Sequence, residues 1–210
     1  MYTLFHSAGM ASLPVLLALL EIGAPYEIHR VDMDRGEHKQ PDYVKLNPNG
    51  LVPTLVADGK PLYETAALLM YLAERHPEAC LAPAPGTPER GLYLQWMMHL
   101  TNTVQAAFRM WFHPEYGGPP ENGESVKQAA RRDLEAAWDR LDAHLAASGP
   151  YVLGEAYGVV DMFAVTLFRW SRRMPKPATD WRALAELAGR VKARPAWKRM
   201  YEIDGLTEWA

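Results

Sequence analysis

The first eighty residues carry two alternating kinds of hydrophobic pattern. Short runs of β-branched and aromatic residues predict strands, and apolar residues spaced three or four apart predict helices. The order is strand, helix, strand, then strand, strand, helix, which predicts a mixed sheet with helices packed against it. The predicted strands are residues 2–5, 27–31, 54–57 and 61–63, and the predicted helices are 12–22 and 65–75, with a short helical turn at 42–46.

The rest of the chain has only the helical pattern. Apolar residues recur there at spacings of three or four over long stretches, each ended by proline, glycine or a polar cluster. The predicted helices are residues 89–112, 125–145, 159–173, 180–192 and 195–201. The expected fold class is therefore a small α/β domain followed by an all-α helical domain.

A proline-rich segment marks the boundary between the two regions. Residues 81–88 contain three prolines and a glycine, so they can form neither a helix nor a central strand. We predict a linker at 81–88, between one domain at 1–80 and a helical domain at 89–210. All seven tryptophans follow the linker, so two regions of different composition meet there.

Charge and cysteine content exclude several classes of function. The 210 residues hold 22 Lys and Arg against 25 Asp and Glu, a formal net charge of −3, so we expect no nucleic-acid partner. A single cysteine cannot form an internal disulfide, a thiolate metal cage or a Cys-x-x-Cys pair, and we expect no metal. The apolar run at 8–20 is too short to span a membrane, and no Lys or Arg precedes it. We therefore expect no membrane partner and a cytoplasmic location.

The first candidate for chemistry is the segment 47–56, Asn-Pro-Asn-Gly-Leu-Val-Pro-Thr-Leu-Val. Pro53 has no N–H to donate to a ladder, so the chain here lies at an edge or in a turn. If the Val52–Pro53 bond is cis, the backbone N–H and C=O of Val52 face outward and can pair with an extended peptide ligand. Spacing alone favours the simpler interpretation, a trans proline that starts an edge strand.

The second candidate is Glu64-Thr65, directly before an apolar helix. The Thr65 hydroxyl can cap that helix, and the first-turn N–H groups offer a place for a small carboxylate. Glu64 could pair with a neighbouring ammonium group. Taken alone, the pair is more simply a helix cap and an acid that complements the helix dipole.

Together, the two motifs resemble the glutathione S-transferase family. Asn-Pro-x-Gly-x-Val-Pro-x-Leu, a hairpin, and Glu-Thr before the helix follow the family's order, with Thr65 where Ser is usual. The linker and the five later helices also match. Residues 151–161 resemble the family's folding motif in the helical domain, with Gly158 at the usual capping Ser or Thr and Asp161 three residues later.

The resemblance implies a thioredoxin-like N-terminal domain that binds glutathione as a co-substrate. It implies that Pro53 is cis, that glutathione lies against Val52, and that its γ-glutamyl carboxylate and ammonium go to Thr65 and Glu64 respectively. It also implies a bacterial, cytosolic type of enzyme, either serine-type or similar to the beta and theta classes without the beta-class cysteine.

The loop at 35–41 resembles the segment that reaches the glycyl carboxylate of glutathione in theta-like members. Of its residues, His38 is the first expectation for this contact and Lys39 the second. A solvated basic loop with no ligand is an equal alternative.

The group that activates the glutathione thiol is the least defined part of the expected site. Met10 occupies the position of the beta-class cysteine and can neither donate a proton nor form a thiolate. Ser7 directly follows the first strand, where serine-type members place their catalytic hydroxyl, and it is the expected catalytic residue. Ser12 is better explained as a helix cap and His6 as an ordinary residue at a strand end. Loss of catalysis remains an alternative, because residues 8–11 carry few polar groups.

An apolar electrophile would bind beside the thiol. The pocket residues we expect combine flexible and aromatic side chains, which suit an adaptable apolar site. They are Met10, Gln105, Phe108, Arg109 and Phe112. For each of them, ordinary core packing is the competing interpretation, and no residue identifies the electrophile.

The predicted function is that of a glutathione transferase-like enzyme, which activates the thiol for attack on an apolar electrophile, with a role in detoxification. The resemblance implies a homodimer. Two alternatives stay open: a non-catalytic binding or regulatory protein on the same fold, and a glutathione-dependent isomerase, reductase or dehalogenase.

Overall fold

A computed structural model describes residues 1–209 of the chain. Residue contacts divide it into two compact units, one formed by Met1–Ala82 with the segment from Lys192 onward, and the other by Pro83–Val191. The division between Ala82 and Pro83 falls within the segment expected to be a linker. The C-terminal segment, which the sequence-based division left in the helical domain, belongs by its contacts to the first unit.

The first unit is built on the predicted mixed sheet. Strands β1 (Tyr2–His6), β2 (Tyr26–Arg30), β3 (Thr54–Ala57) and β4 (Lys60–Tyr63) lie in the order β2-β1-β3-β4. β1 is parallel to β2 and antiparallel to β3, and β3 is antiparallel to β4. The central strands therefore place the C-terminal end of β1 next to the start of β3.

The first unit also contains three helices. Each begins close to a segment that the sequence analysis identified as a candidate for binding or catalysis. They are α1 (Leu13–Ile22), α2 (Pro41–Leu46) and α3 (Thr65–Arg75). α1 is apolar almost throughout because it is buried on nearly all sides, and it ends at Gly23, whose φ of 71° suits a residue without a side chain. α1 packs against α3.

The second unit is helical. Its helices are α4 (Pro88–His99), α5 (Ala106–Phe112), α6 (Gly123–Ser148), α7 (Val159–Trp170) and α8 (Arg182–Lys192), with a π-helical segment at Leu100–Gln105 that joins α4 to α5. This continuous run from Pro88 to Phe112 is the long helix predicted at 89–112. No helix within residues 1–209 is both long enough and apolar enough to cross a membrane.

A last helix, α9 (Pro195–Asp204), returns to the first unit and packs on α1. At its start, Arg194 forms two hydrogen bonds with Glu21 of α1, at 2.6 and 2.8 Å. Its last residue is Asp204. The packing of α9 on α1 and the bonds between Arg194 and Glu21 place the C-terminal segment in the first unit.

The start of α7 depends on one buried carboxylate. Gly158 has no side chain with which to cap the helix, and Asp161 accepts the Gly158 N–H at 2.9 Å and the Val152 N–H at 2.8 Å. Asp161 is completely buried. The carboxylate therefore ties the helix start to the preceding loop, as the sequence motif predicted.

Replacing Asp161 by Ala is expected to reduce the free energy of unfolding by about 2 to 6 kcal/mol, because two buried N–H groups lose their partner and each costs about 1–3 kcal/mol. Urea-induced unfolding followed by circular dichroism measures the loss. Exposed Glu155, in the same loop, is the control: Glu155→Ala should change stability by less than about 0.5 kcal/mol. Equal effects of the two substitutions would contradict this role for Asp161.

Candidate functional site

The loop between β1 and α1 is organised by the Ser12 hydroxyl. Ser12 Oγ accepts the Ser7 N–H at 3.1 Å and donates to the Ser7 carbonyl at 3.2 Å, and Ser12 is fully buried. The Met10 N–H also donates to the Ser7 carbonyl, at 3.2 Å. Ser12 does occupy the N-cap position of α1, but its side chain makes no bond to the helix. The expectation that Ser12 caps the helix is therefore wrong in its chemistry: its hydroxyl closes the loop instead.

This arrangement leaves the Ser7 side chain available. Ser7 is half-buried, and its hydroxyl has no hydrogen-bond partner among residues 1–209. Met10, three residues later, is 44% exposed. The loop thus presents a hydroxyl and a thioether at its surface while its backbone is held from within.

His6 has a more specific role than that of an ordinary strand end. Its Nε2 lies 2.7 Å from Asp204 Oδ1, and both side chains are 0% exposed. The same carboxylate accepts the Gly9 N–H at 3.2 Å and pairs with Arg30 at 2.7 Å. Nothing near His6 in the sequence pointed to a partner 198 positions away.

The motif at 47–53 is held by two side chains that the sequence analysis did not assign. Asn47 Nδ2 donates to the Leu51 carbonyl at 2.8 Å, and the Tyr43 hydroxyl donates to the same carbonyl at 2.7 Å. Asn47 Oδ1 also accepts the Asn49 N–H at 3.1 Å. Asn47 is the first residue of the quoted motif, and Tyr43 lies four residues before it. Residues four apart in a helix lie on the same face, and this spacing is the sequence signal that could have identified the pair. Together they fix the backbone that leads into Val52.

Val52 and Pro53 lie at the end of this held segment. The Val52–Pro53 peptide bond is cis. The Val52 side chain is buried in a small apolar cluster with Val31 and Tyr43. Within residues 1–209, neither backbone group of Val52 takes part in a hydrogen bond.

Of the two residues expected for the glycyl carboxylate, Lys39 reaches this segment. Its Nζ donates to the Gly50 carbonyl at 2.7 Å. Gly50 has φ of 56°, and a Cβ there would lie 2.9 Å from the His38 carbonyl, so only glycine allows the two loops to approach so closely. The His38 Nδ1 is buried and has no hydrogen-bond partner within residues 1–209. Burial, with the charge of Lys39, holds the pKa of His38 below its ordinary value.

Glu64 and Thr65 differ from the predicted cap. α3 does begin at Thr65, as predicted, but Glu64 is the N-cap residue and no side chain caps the helix. The Thr65 hydroxyl instead donates to the Ala11 carbonyl at 3.0 Å. Glu64 has φ of 75°, a strained conformation for a residue with a side chain. The capping expectation for Thr65 is therefore wrong, because Thr65 is the first residue inside the helix and not the N-cap residue.

Two contacts bring the three segments together at one end of the sheet. The bond from Thr65 to Ala11 joins the start of α3 to the β1–α1 loop. Asn49 Nδ2 lies 3.5 Å from Glu64 Oε1 and joins the 47–53 segment to the same helix start. Ser7, Val52 and Glu64 therefore belong to neighbouring segments, although they are far apart in the sequence.

The residues expected in the electrophile pocket divide into exposed and buried ones. Phe108 is completely buried, and its ring packs on Phe112 and on Trp138 and Trp170. In this structure Phe108 is a core residue with no surface to offer a ligand, because aromatic rings enclose it. Phe112 is 49% exposed. Arg109 is exposed and lies over the ring of Tyr116, at 4.5 Å from its centroid.

Gln105 closes the π-helical segment and is half-buried. Among residues 1–209, no group of three or more His, Cys, Asp and Glu side chains is arranged to hold a metal ion.

Comparisons with known proteins agree with the motifs. Residues 11–75 match the family described as "Glutathione S-transferase, N-terminal domain", and residues 124–199 match "Glutathione S-transferase, C-terminal domain". Glutathione S-transferase 3 of Zea mays is 30% identical over 195 residues, covering 90% of this chain and 81% of that protein. Maleylacetoacetate isomerase of Pseudomonas aeruginosa is 28% identical over 214 residues, covering 97% and 96% respectively. A sphingomonad glutathione S-transferase, solved in complex with glutathione, is 31% identical with a TM-score of 0.85, covering 98% of this chain and 100% of that one.

Removing the Tyr43 hydroxyl should weaken the first unit. Tyr43→Phe removes two hydrogen bonds. The Leu51 carbonyl loses one of its donors, and the Thr54 hydroxyl loses its partner at 2.9 Å. We expect a loss of about 1–2 kcal/mol in the free energy of unfolding, measured by urea titration. The control is Tyr63→Phe, because Tyr63 is 39% exposed. A loss no larger than that of the control would show that the hydroxyl is not needed.

Proposed function

Because this chain belongs to the glutathione S-transferase family, we propose that it binds glutathione across the three joined segments of its first unit. The thiol then attacks an apolar electrophile, with Ser7 stabilising the thiolate. The observation that carries this proposal is the β1–α1 loop, whose backbone is fixed by Ser12 while the Ser7 hydroxyl has no partner among residues 1–209.

The backbone of Val52 would hold the middle of the tripeptide. An extended peptide adds to a sheet edge through main-chain hydrogen bonds, and it needs an unpaired N–H and C=O facing it. Both groups of Val52 are unpaired within residues 1–209. The donors from Tyr43 and Asn47 to the Leu51 carbonyl keep this backbone in place before the ligand arrives.

The γ-glutamyl end would lie at the start of α3. The Thr65 hydroxyl already donates its proton to Ala11, so the backbone N–H at the helix start is the donor for the γ-glutamyl α-carboxylate. The exposed carboxylate of Glu64 would pair with the ammonium group. This division assigns the binding of the ligand to Glu64 and the positioning of the helix start to the Thr65 hydroxyl.

The glycyl carboxylate would go to Lys39 rather than to His38. Lys39 is exposed and its Nζ lies 2.7 Å from the Gly50 carbonyl, two residues before Val52. His38 has a depressed pKa, caused first by burial and then by the charge of Lys39. A neutral imidazole attracts a carboxylate less than an ammonium does, so His38 is the second choice.

The thiol needs about 2.7 kcal/mol of preferential thiolate stabilisation for each lowering of its pKa by two units. A hydroxyl that donates to the sulfur supplies part of it. Ser12 cannot act in this way because its proton goes to the Ser7 carbonyl. Ser7 is therefore the hydroxyl that we assign to the thiolate.

The electrophile would be apolar and would meet the exposed Met10, beside Ser7 in the loop. Gln105, Arg109 and Phe112, the other residues expected to contact the electrophile, belong to the second unit and stay predictions. We also propose that the protein acts as a cytoplasmic homodimer and conjugates reactive electrophiles in detoxification. No metal takes part in this proposal.

A glutathione-dependent isomerase is the second candidate, favoured by the similarity to the Pseudomonas aeruginosa maleylacetoacetate isomerase. An isomerase returns free glutathione at the end of each cycle, whereas a transferase consumes it. Measuring the free thiol during turnover of an aryl halide and of maleylacetoacetate separates the two functions.

Replacing Ser7 by Ala should lower turnover without weakening the binding of glutathione. We expect kcat with a generic aryl halide to fall roughly 10- to 30-fold at pH 7, because a thiol whose pKa returns to about 8.5 is mostly protonated there. Steady-state kinetics and calorimetric Kd values measure the two effects. Ser7→Thr is the control that keeps the hydroxyl. Full kcat in Ser7→Ala would contradict the assignment of Ser7 to the thiolate. If the wild type bound glutathione but showed no thiolate absorbance, a non-catalytic protein would be favoured.

Replacing Glu64 by Gln should weaken glutathione binding by about tenfold or more, because a charged hydrogen bond contributes about 1.5–3 kcal/mol. A glutathione analogue that lacks the γ-glutamyl amino group should bind wild type and variant equally. Thr65→Ala should also weaken binding, and Thr65→Ser should restore it. The control is Glu27→Gln, since Glu27 is exposed on β2. If the analogue lost as much affinity as glutathione, Glu64 would not contact the ammonium.

A further inference from the structure

The C-terminal helix brings the buried carboxylate of Asp204 into contact with the β1–α1 loop. We infer that Asp204 is a positioning residue for thiol activation, because it fixes the backbone that carries Ser7 through its bonds to His6 and Gly9. The inference rests on the proposed function of that loop and adds to it a residue from the opposite end of the chain.

Asp204 bonds to residues on both sides of Ser7 in the sequence. Oδ1 lies 2.7 Å from His6 Nε2, one residue before Ser7, and Oδ2 accepts the Gly9 N–H at 3.2 Å, two residues after it. The His6 carbonyl is also held, by the Val31 N–H at 2.8 Å. Asp204 and His6 have fully buried side chains, so water does not compete for these bonds.

The carboxylate is charged in this place because a cation compensates it. Arg30, whose side chain is 47% exposed, lies 2.7 Å from Oδ1 and also donates to the Ile203 carbonyl at 2.6 Å. Burial alone would raise the pKa of Asp204, but the bonds and charges of His6 and Arg30 and the Gly9 N–H outweigh it and hold the pKa below its ordinary value. Because a carboxylate only accepts, His6 Nε2 carries the proton.

The loop needs a second attachment besides the one from Ser12. Gly9 has φ of 70°. Because glycine has no side chain, its backbone is more flexible than that of any other residue. Ala8 and Gly9 have no polar side chain that could hold the loop. The Ser12 hydroxyl bonds to Ser7, whereas Asp204 accepts the Gly9 N–H. A misplacement of about 1 Å in a reacting group can cost about a hundredfold in rate.

A simple attachment of α9 to the sheet is the competing explanation. The structure supplies a control, because Arg194 and Glu21 attach the other end of α9 to α1 at 2.6 and 2.8 Å. Glu21 lies at the far end of α1 from Ser12. Glu21→Gln therefore weakens the attachment of α9 without touching the loop, whereas Asp204→Asn releases the loop.

The experiment compares wild type, Asp204→Asn, Glu21→Gln and the double variant Arg30→Met with Asp204→Asn, all below their melting temperatures. The pKa of the bound glutathione thiol is read from thiolate absorbance, the Kd of S-methylglutathione from calorimetry, and the protection of residues 7–12 from amide hydrogen exchange. The double variant removes both charges and so separates loop position from a change in local charge.

In Asp204→Asn we expect faster exchange at residues 7–12, a higher thiol pKa and a kcat about 10- to 100-fold lower. The Kd of S-methylglutathione, which has no free thiol, should stay within about twofold, because Glu64 and Val52 are untouched. The double variant should behave similarly. Glu21→Gln should lose stability and keep the wild-type thiol pKa.

The inference is wrong if Asp204→Asn leaves the thiol pKa and loop exchange unchanged, or if Glu21→Gln shifts them equally. If the wild type itself binds no glutathione or forms no thiolate, the proposed function fails and the inference fails with it. The measurements on the wild type alone distinguish this case. Should Asp204→Asn not fold, Arg30→Met is the milder variant, since within residues 1–209 the Arg30 side chain bonds to Asp204 and to the Ile203 carbonyl and not to the loop itself. It should shift both quantities in the same direction, and no shift would overturn the inference.

Discussion

Hydrogen bonds from side chains to loop backbone hold the candidate site together. Ser12 binds both backbone groups of Ser7, Asn47 and Tyr43 share the Leu51 carbonyl, and Thr65 holds the Ala11 carbonyl. A loop cannot satisfy its own backbone as a strand or helix does, and each buried polar group left unpaired costs about 1–3 kcal/mol. The arrangement at this end of the sheet depends on these few side chains.

The same bonds distinguish residues that fix the loop backbone from residues that the proposed function assigns to the ligand. The buried polar side chains, such as Ser12 and Asn47, have their hydrogen bonds taken up by the backbone. Ser7 and Glu64 have groups facing outward, and Glu64 is kept in a strained conformation by the structure around it. The loop backbone is therefore held by bonds within the protein, and a site fixed before binding favours affinity.

Elements with a strong periodic pattern were predictable. The order of strands, the start and end of α3, and the continuous run from Pro88 to Phe112 follow from hydrophobic spacing, because burial of one face repeats with the period of the helix or strand. The resemblance based on the Pro53 and Glu64 motifs led to the correct family. Local rules failed at Ser12 and Thr65, where both hydroxyls were expected to cap helices and both instead bind carbonyls of the β1–α1 loop.

The set of helices and strands and the family could be read from the sequence, because hydrophobic periodicity and the two motifs depend on neighbours within a few positions. The folded chain was needed to show that the Ser7 hydroxyl has no partner within residues 1–209, that Lys39 Nζ bonds to the Gly50 carbonyl, and that Phe108 is buried in the core. It also brought Asp204 to His6 across 198 positions. The physical reason is that a hydrogen bond depends on distance in space, and a periodic pattern records burial but not the partner.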